Sequence, residues 1–261
     1  MTAMRTSRWL FVVLGVALLA AACGSEPAAT TEPATTSEPM TTTSPPVAAG
    51  VLEPSEGVVR SQPASGSPVA ELAAGFNTAG FALWRRQPLE GNLVFSPASI
   101  GHALLMARAA ADDVTGAAID GALGLPEDDA AHQAWNAIDQ DIARVTGQVD
   151  DLTVVLADRI WPRLDVQPDQ GWVDLLAAEH GVTSQPLDLA GDPEGSRQII
   201  NGWVGEQTRG LIPELLPEGF IHDQTVLVLT DALYFAARWE REFGKYGPVA
   251  GTFTRLDGST V

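Results

Sequence analysis

Between residues 69 and 86, Ala70, Leu72, Ala73, Phe76, Ala79, Gly80, Leu83 and Trp84 recur at three and four residue spacings. That spacing predicts an amphipathic helix. The next stretch, "NLVFSPASIGHALLMARAAA", changes period abruptly: Leu93 to Phe95 reads as a short strand, and a helix follows without a loop. Ser96 stands where an N-cap belongs, and Pro97 takes the first helical position, where its missing N–H costs nothing. Ile100, Ala103, Leu104, Ala107 and Ala111 then share one helical face.

"DVTGAAIDGALGL" predicts a further helix ending near Gly121 to Gly124, and "AAHQAWNAIDQDIARV" another with Trp135, Ile138 and Ile142 toward the core. "LTVVLADRIW" is strand-like, and "DQGWVDLLAAEHG" is a short helix closed by Gly181. Asp192-Pro193 opens a helix that turns Ile199, Ile200, Trp203 and Val204 inward and ends at Gly210. "TVLVLTDALYF" is almost wholly apolar and of strand length, so it should be buried on both faces in the middle of a large sheet. Helices come mostly first and long strands later, which points to α+β architecture. No internal repeat is visible, so residues 69–261 read as one domain.

The patterning before residue 69 is of another kind. Arg5 and Arg8 precede an apolar run from Trp9 to Ala22, 14 residues long, which is too short to span a bilayer and suits an export signal. The run ends "LLAAACGS", and small residues before a lone cysteine resemble a bacterial lipoprotein signal: residues 1–22 are removed and Cys23 becomes the lipidated anchor. The other reading is a plain signal peptide cut after Ala-x-Ala, which leaves a free thiol. Either way the protein is exported, lipid-anchored on the outer face of the cell envelope or secreted. Residues 23–68 are dominated by Thr, Pro, Ala, Ser and Glu and predict a disordered, extended spacer.

Charge narrows the function. Thirty-three acidic residues against 15 basic give a net charge of −18, which excludes nucleic-acid binding driven by counterion release. His102, His132, His180 and His222 are dispersed, and no pair of them has helical metal-ligand spacing, so no metal site and no cofactor is expected. Neither G-x-S-x-G, a Walker-type loop nor G-x-G-x-x-G occurs, and no catalytic residue stands out. One carboxylate differs from the rest: Asp231 interrupts an apolar strand, where an unpaired charge carries a heavy desolvation cost. It either faces a wet cleft or belongs to a buried polar network.

"NLVFSPASI", "INGWVGEQTRGLIPELL" and "TVLVLTDALYFAARWEREF", in this order, resemble the serpin family over about residues 70–261. Asn201, Trp203, Val204, Thr208, Gly210 and Ile212 fit N-x-W-V-x-x-x-T-x-G-x-I, and Tyr234, Phe235, Trp239 and Phe243 fit the aromatic sequence after the central strand. "LADRIW" and the spacing of Thr115, Ile119, Leu123, Gly124 and Leu125 add to the match. The resemblance implies an α+β fold of many helices and large mixed or antiparallel sheets. It also implies suicide inhibition of an extracellular serine protease, or of a cysteine protease: a reactive loop is cleaved and enters the central sheet as a new strand.

By the same resemblance, Ser96, Pro97, Ser99 and Ile100 match the shutter where that sheet parts, with both serines facing Asp231, where the family usually has asparagine. Trp239 matches the breach, where the loop first enters. The final "TRLDGSTV" resembles a region well before the reactive loop, so the expectation is a chain lacking the C-terminal third, with inhibition belonging to the complete protein and no reactive bond in these residues. The alternative is a non-inhibitory envelope lipoprotein that serves as a binding module or is a non-functional remnant.

Overall fold

A computed structural model describes residues 12–15, 53–87, 93–126, 129–240, 250–255 and 257–261. Helix α1 (Val69–Trp84) buries Leu72, Phe76 and Gly80, while Leu83 and Trp84 at its end are exposed. Helix α2 (Pro97–Arg108) starts as its sequence requires: the Ser96 hydroxyl accepts from the Ser99 N–H at 3.1 Å. Its buried side is rotated from the expected one, because Gly101, His102, Ala103, Leu105 and Met106 are all inside. The helix lies between α1 and the sheet, so neighbours cover it on more than one face. At Gly101 the contact with α1 is so close that a Cβ would meet the Phe76 ring at 2.6 Å.

Helix α3 (Asp113–Leu123) is capped by Asp112, which accepts from the Thr115 N–H. Helix α4 (Ala130–Thr146) buries Ala131, His132, Ala134, Trp135 and Asn136. Helix α5 (Gln170–Leu175) runs on into a π-helical turn, Leu176–His180, closed by Gly181 at φ 66°. Helix α6 (Pro193–Gln207) is capped by Asp192, whose carboxylate accepts from the Gly195 N–H. It buries Ile200 and Val204 as expected; Ile199, expected inward, is 41% exposed because the buried stripe runs one residue further round.

The strands are β1 (Val12–Gly15), β2 (Thr153–Pro162), β3 (Thr183–Ser184) and β4 (Leu227–Ala236), in the order β1-β4-β2-β3. The long pair β2 and β4 is antiparallel, β1 runs parallel to β4, and β3 runs parallel to β2. Alternation then assigns the faces. Ile160 and Leu229, directly opposite each other, pack with Ala103 and Met106 of α2. Trp161 and Val228 point the other way, onto Ile200 of α6. The first six residues of β4 are buried, in keeping with its place inside the sheet.

Two expectations change. Leu93–Phe95 is in no strand, and the chain reaches the Ser96 cap without pairing. The part of the spacer that is described, residues 53–68, is not disordered. Arg60, its sole cation, bonds Asn136 and Asp139 of α4 through Nε and Nη2, and the Ser61 N–H donates to the Ala178 carbonyl. Ser55 bonds the Asp174 carboxylate. A guanidinium fork on a carboxylate and an amide side chain is a specific anchor that composition does not reveal. Among the described residues no helix is long and apolar enough to cross a membrane.

Candidate functional site

Antiparallel register places Asp158 of β2 directly opposite Asp231 of β4. Both share the parity of Ile160 and Leu229 and so face α2. Two carboxylates opposite each other repel, and here they are almost dry: the side chains are 9% and 6% exposed. His102 answers them. Its ring is fully buried, with Nδ1 at 2.6 Å from Asp231 Oδ2 and 3.6 Å from Asp158 Oδ1, and Trp135 stacks on it at 3.8 Å between centroids. Asp158 Oδ1 itself is buried without a hydrogen-bond partner.

The network continues away from the sheet. His102 Nε2 lies 2.8 Å from His180 Nδ1, and His180 Nε2 lies 2.8 Å from His132 Nδ1. Asp231, His102, His180 and His132 therefore form one hydrogen-bonded line. It ends at His132, which lines a cavity of about 660 Å³ together with Leu105, Arg108, Asp120 and Asp129. Each imidazole comes from a different helical element, α2, the π-helical turn and α4. The π-helical turn adds a residue per turn to α5 and brings His180 to the gap between the other two rings.

The electrostatics give the line a direction. Burial by itself would lower the His102 pKa, but Asp158 and Asp231 overturn this and raise it to about 9. Burial, and after it the field of Asp158, push Asp231 up to about 7, with His102 opposing. Desolvation holds His180 well below its ordinary value, and takes His132 down to about 4. The positive charge thus sits on His102, with both ring nitrogens donating. His180 and His132 are neutral and each passes one N–H along the line.

The serines are arranged otherwise than expected. Ser96 is engaged in capping, and among the described residues no hydrogen bond joins Ser96 or Ser99 to Asp231. His102, further along the same helix, takes the carboxylate. Pro97 packs against α1, where a Cβ on Gly80 would lie 2.7 Å from its ring, and Ile100 is half-buried. Trp239 follows β4 and is exposed. Cys23 and Phe243 lie outside the described residues.

The second motif acts as a clamp on the segment after α6. Asn201 accepts from the N–H groups of Leu215 and Leu216 and donates to the Leu216 carbonyl. Thr208 donates to the Val204 carbonyl and accepts from the Ile212 N–H. Trp203 meets Trp161 edge-on at 5.5 Å, with the Arg159 guanidinium 4.4 Å from its ring centre, and Gly210 turns the chain at φ 79°.

Sequence reasoning read the histidines as dispersed and did not single out Asp158. One signal was present: each long apolar strand contains a single inward aspartate, and pairing those strands brings the two together.

A sequence model of the family described as serpin (serine protease inhibitor) matches residues 75–261. The chain is 34% identical over 175 residues to Serpin-Z2A of Oryza sativa subsp. japonica, covering 65% of this chain and 40% of that protein. It is 35% identical over 158 residues to the leukocyte elastase inhibitor of Bos taurus, covering 59% of this chain and 40% of that protein. It thus spans about two fifths of the length of these curated relatives. Among solved structures, it resembles Arabidopsis AtSerpin1 in its native stressed conformation, with TM-score 0.64, 23% identity, 74% of this chain and 50% of that one. It also resembles cleaved Serpin 42Da, with TM-score 0.64, 29% identity, 76% of this chain and 52% of that one.

Proposed function

The chain belongs to the serpin family, and from that premise we propose that the protein it forms part of inhibits serine-type endopeptidases by strand insertion. One observation carries the reading: β4 is a long, largely buried central strand that pairs over ten residues with β2, and helix α2, which opens with the Ser96-Pro97 stretch, packs beneath that pair through Ala103 and Met106. A sheet of this kind can take up a further strand through its backbone hydrogen bonds.

In the proposed reaction the target protease supplies the nucleophile. Its serine oxygen attacks the carbonyl of the reactive bond, the peptide bond breaks, the new amine leaves, and an ester joins the two proteins. Entry of the cleaved loop beside β4 then releases strain held in the starting fold and distorts the captured enzyme before water can hydrolyse the ester. The residues of this chain act as the wall and hinge of the gap, with Ser96, Pro97, Ser99, Ile100 and Asp231 beneath it and Trp239 at its mouth. The target is an exported protease, and Cys23 is proposed to carry the lipid that holds the inhibitor at the envelope.

The test is to incubate the full natural protein with elastase-like and trypsin-like serine proteases and follow the mixture by denaturing electrophoresis. A covalent complex that survives the detergent, and sediments with envelope membranes, is the expected result. Clean cleavage of the inhibitor, or full protease activity at molar excess, would refute inhibition; a complex that stays soluble would refute only the tether.

A further inference from the structure

We propose that His102 Nδ1, Asp158 Oδ1 and a carboxylate oxygen of Asp231 form a site for one divalent transition-metal ion, with zinc the ion whose chemistry fits best. The three ligand atoms lie within 4.8 Å of one another. Bonds of about 2.0 to 2.2 Å arranged tetrahedrally would set them roughly 3.3 Å apart. Asp158 Oδ1 is already 3.6 Å from the imidazole nitrogen, and Asp231 Oδ2, at 2.6 Å, needs to withdraw by several tenths of an ångström.

Three independent features support the assignment. First, Asp158 Oδ1 is buried, points toward His102 and has no hydrogen-bond partner, an expensive state for a carboxylate oxygen. Second, two carboxylates in direct register carry two negative charges when both are ionised. The protonated His102 ring offsets one of them, and a divalent ion bound to the deprotonated ring offsets both. Third, the support around the nitrogen ligand is already built: His102 Nε2 faces His180 Nδ1 at 2.8 Å, and His180 Nε2 faces His132 Nδ1 at 2.8 Å. A ligating imidazole commonly passes its other N–H to such an acceptor, which fixes its tautomer.

One nitrogen and two carboxylate oxygens suit zinc, cobalt or manganese. Calcium requires more oxygens than these residues provide. Three protein ligands leave a fourth position for water. Because the ligands come from α2, β2 and β4, an ion here would pin the long strand pair to the helix beneath it. That consequence is independent of whether the protein captures a protease.

The full chain, freed of metal with a chelator, is titrated with Zn²⁺ by calorimetry and with Co²⁺ by visible absorption. One ion per chain, tetrahedral cobalt bands and a raised melting temperature are expected. Asp158→Asn should weaken binding by about a hundredfold or more, since changes even outside the ligand set cost 10 to 100-fold. Asp165→Asn, an exposed carboxylate elsewhere, should leave it unchanged. Absence of binding, or equal affinity in Asp158→Asn, would overturn the site. X-ray absorption on the zinc-loaded wild-type chain gives a readout that needs no variant: one imidazole with oxygen neighbours is expected, and two or more imidazoles, or oxygens alone, would overturn it.

Discussion

Replacing Asn201 with alanine removes three hydrogen bonds that nothing nearby can replace. The amide oxygen accepts from the Leu215 and Leu216 N–H groups at 3.0 and 2.8 Å, and the amide nitrogen donates to the Leu216 carbonyl at 2.9 Å. Leu216 is fully buried and Asn201 is 6% exposed, so the N–H and carbonyl of Leu216 would be left in a dry environment. Leaving a buried polar group unmatched costs about 1 to 3 kcal/mol, and two such groups, allowing for some relaxation, give a loss of about 3 kcal/mol. In a domain of this size, that corresponds to a melting temperature lowered by roughly 6 to 12 °C. The assay is thermal and urea unfolding of the full chain followed by circular dichroism, with exposed Gln198→Ala on the same helix as the control. A loss below about 1 kcal/mol for Asn201→Ala would refute the clamp, because exposed substitutions commonly change stability by about half that or less.

Ser96→Ala should destabilise by about 1 kcal/mol through loss of the bond to the Ser99 N–H, whereas Ser99→Ala should cost less; the reverse ranking in denaturant melts would argue for a latch role over a cap. A pH effect follows from His132, which faces Asp129, Arg108, His102 and His180 and has its pKa lowered from 6.5 to about 4 by burial. The unfolded chain takes up this proton first, so the contribution is complete above pH 6.5 and is lost as pH falls toward 4. The loss approaches about 3 kcal/mol. His132→Gln should flatten the profile over that window; identical slopes for the two proteins would contradict the burial argument.

The residues that were legible in advance are those governed by short-range rules. Ser96, Asp192 and Gly181 begin or end helices through bonds and dihedral angles spanning a few residues, so local spacing reveals them. β2 and β4 were equally visible, because β-branched and apolar runs of strand length need no knowledge of the partner strand. The rotation of α2 about its axis was not visible: alanines and leucines occur all round it, and α1 with the sheet decides what is inside. Nor was the anchoring of Arg60, since its partners lie 76 and 79 residues away.

By itself, then, the sequence determined the α+β class, the helix boundaries, the two long strands and the presence of a costly aspartate in one of them. Only the tertiary structure decided what that aspartate meets. Pairing β2 with β4 set Asp158 opposite Asp231, and the packing of three helical elements brought His102, His180 and His132 into line beneath them. These groups are separated by up to 129 residues along the chain. No periodicity encodes such distances, because the contacts arise from the register of one strand pair and the rotation of three helices, both of which are settled when the core closes.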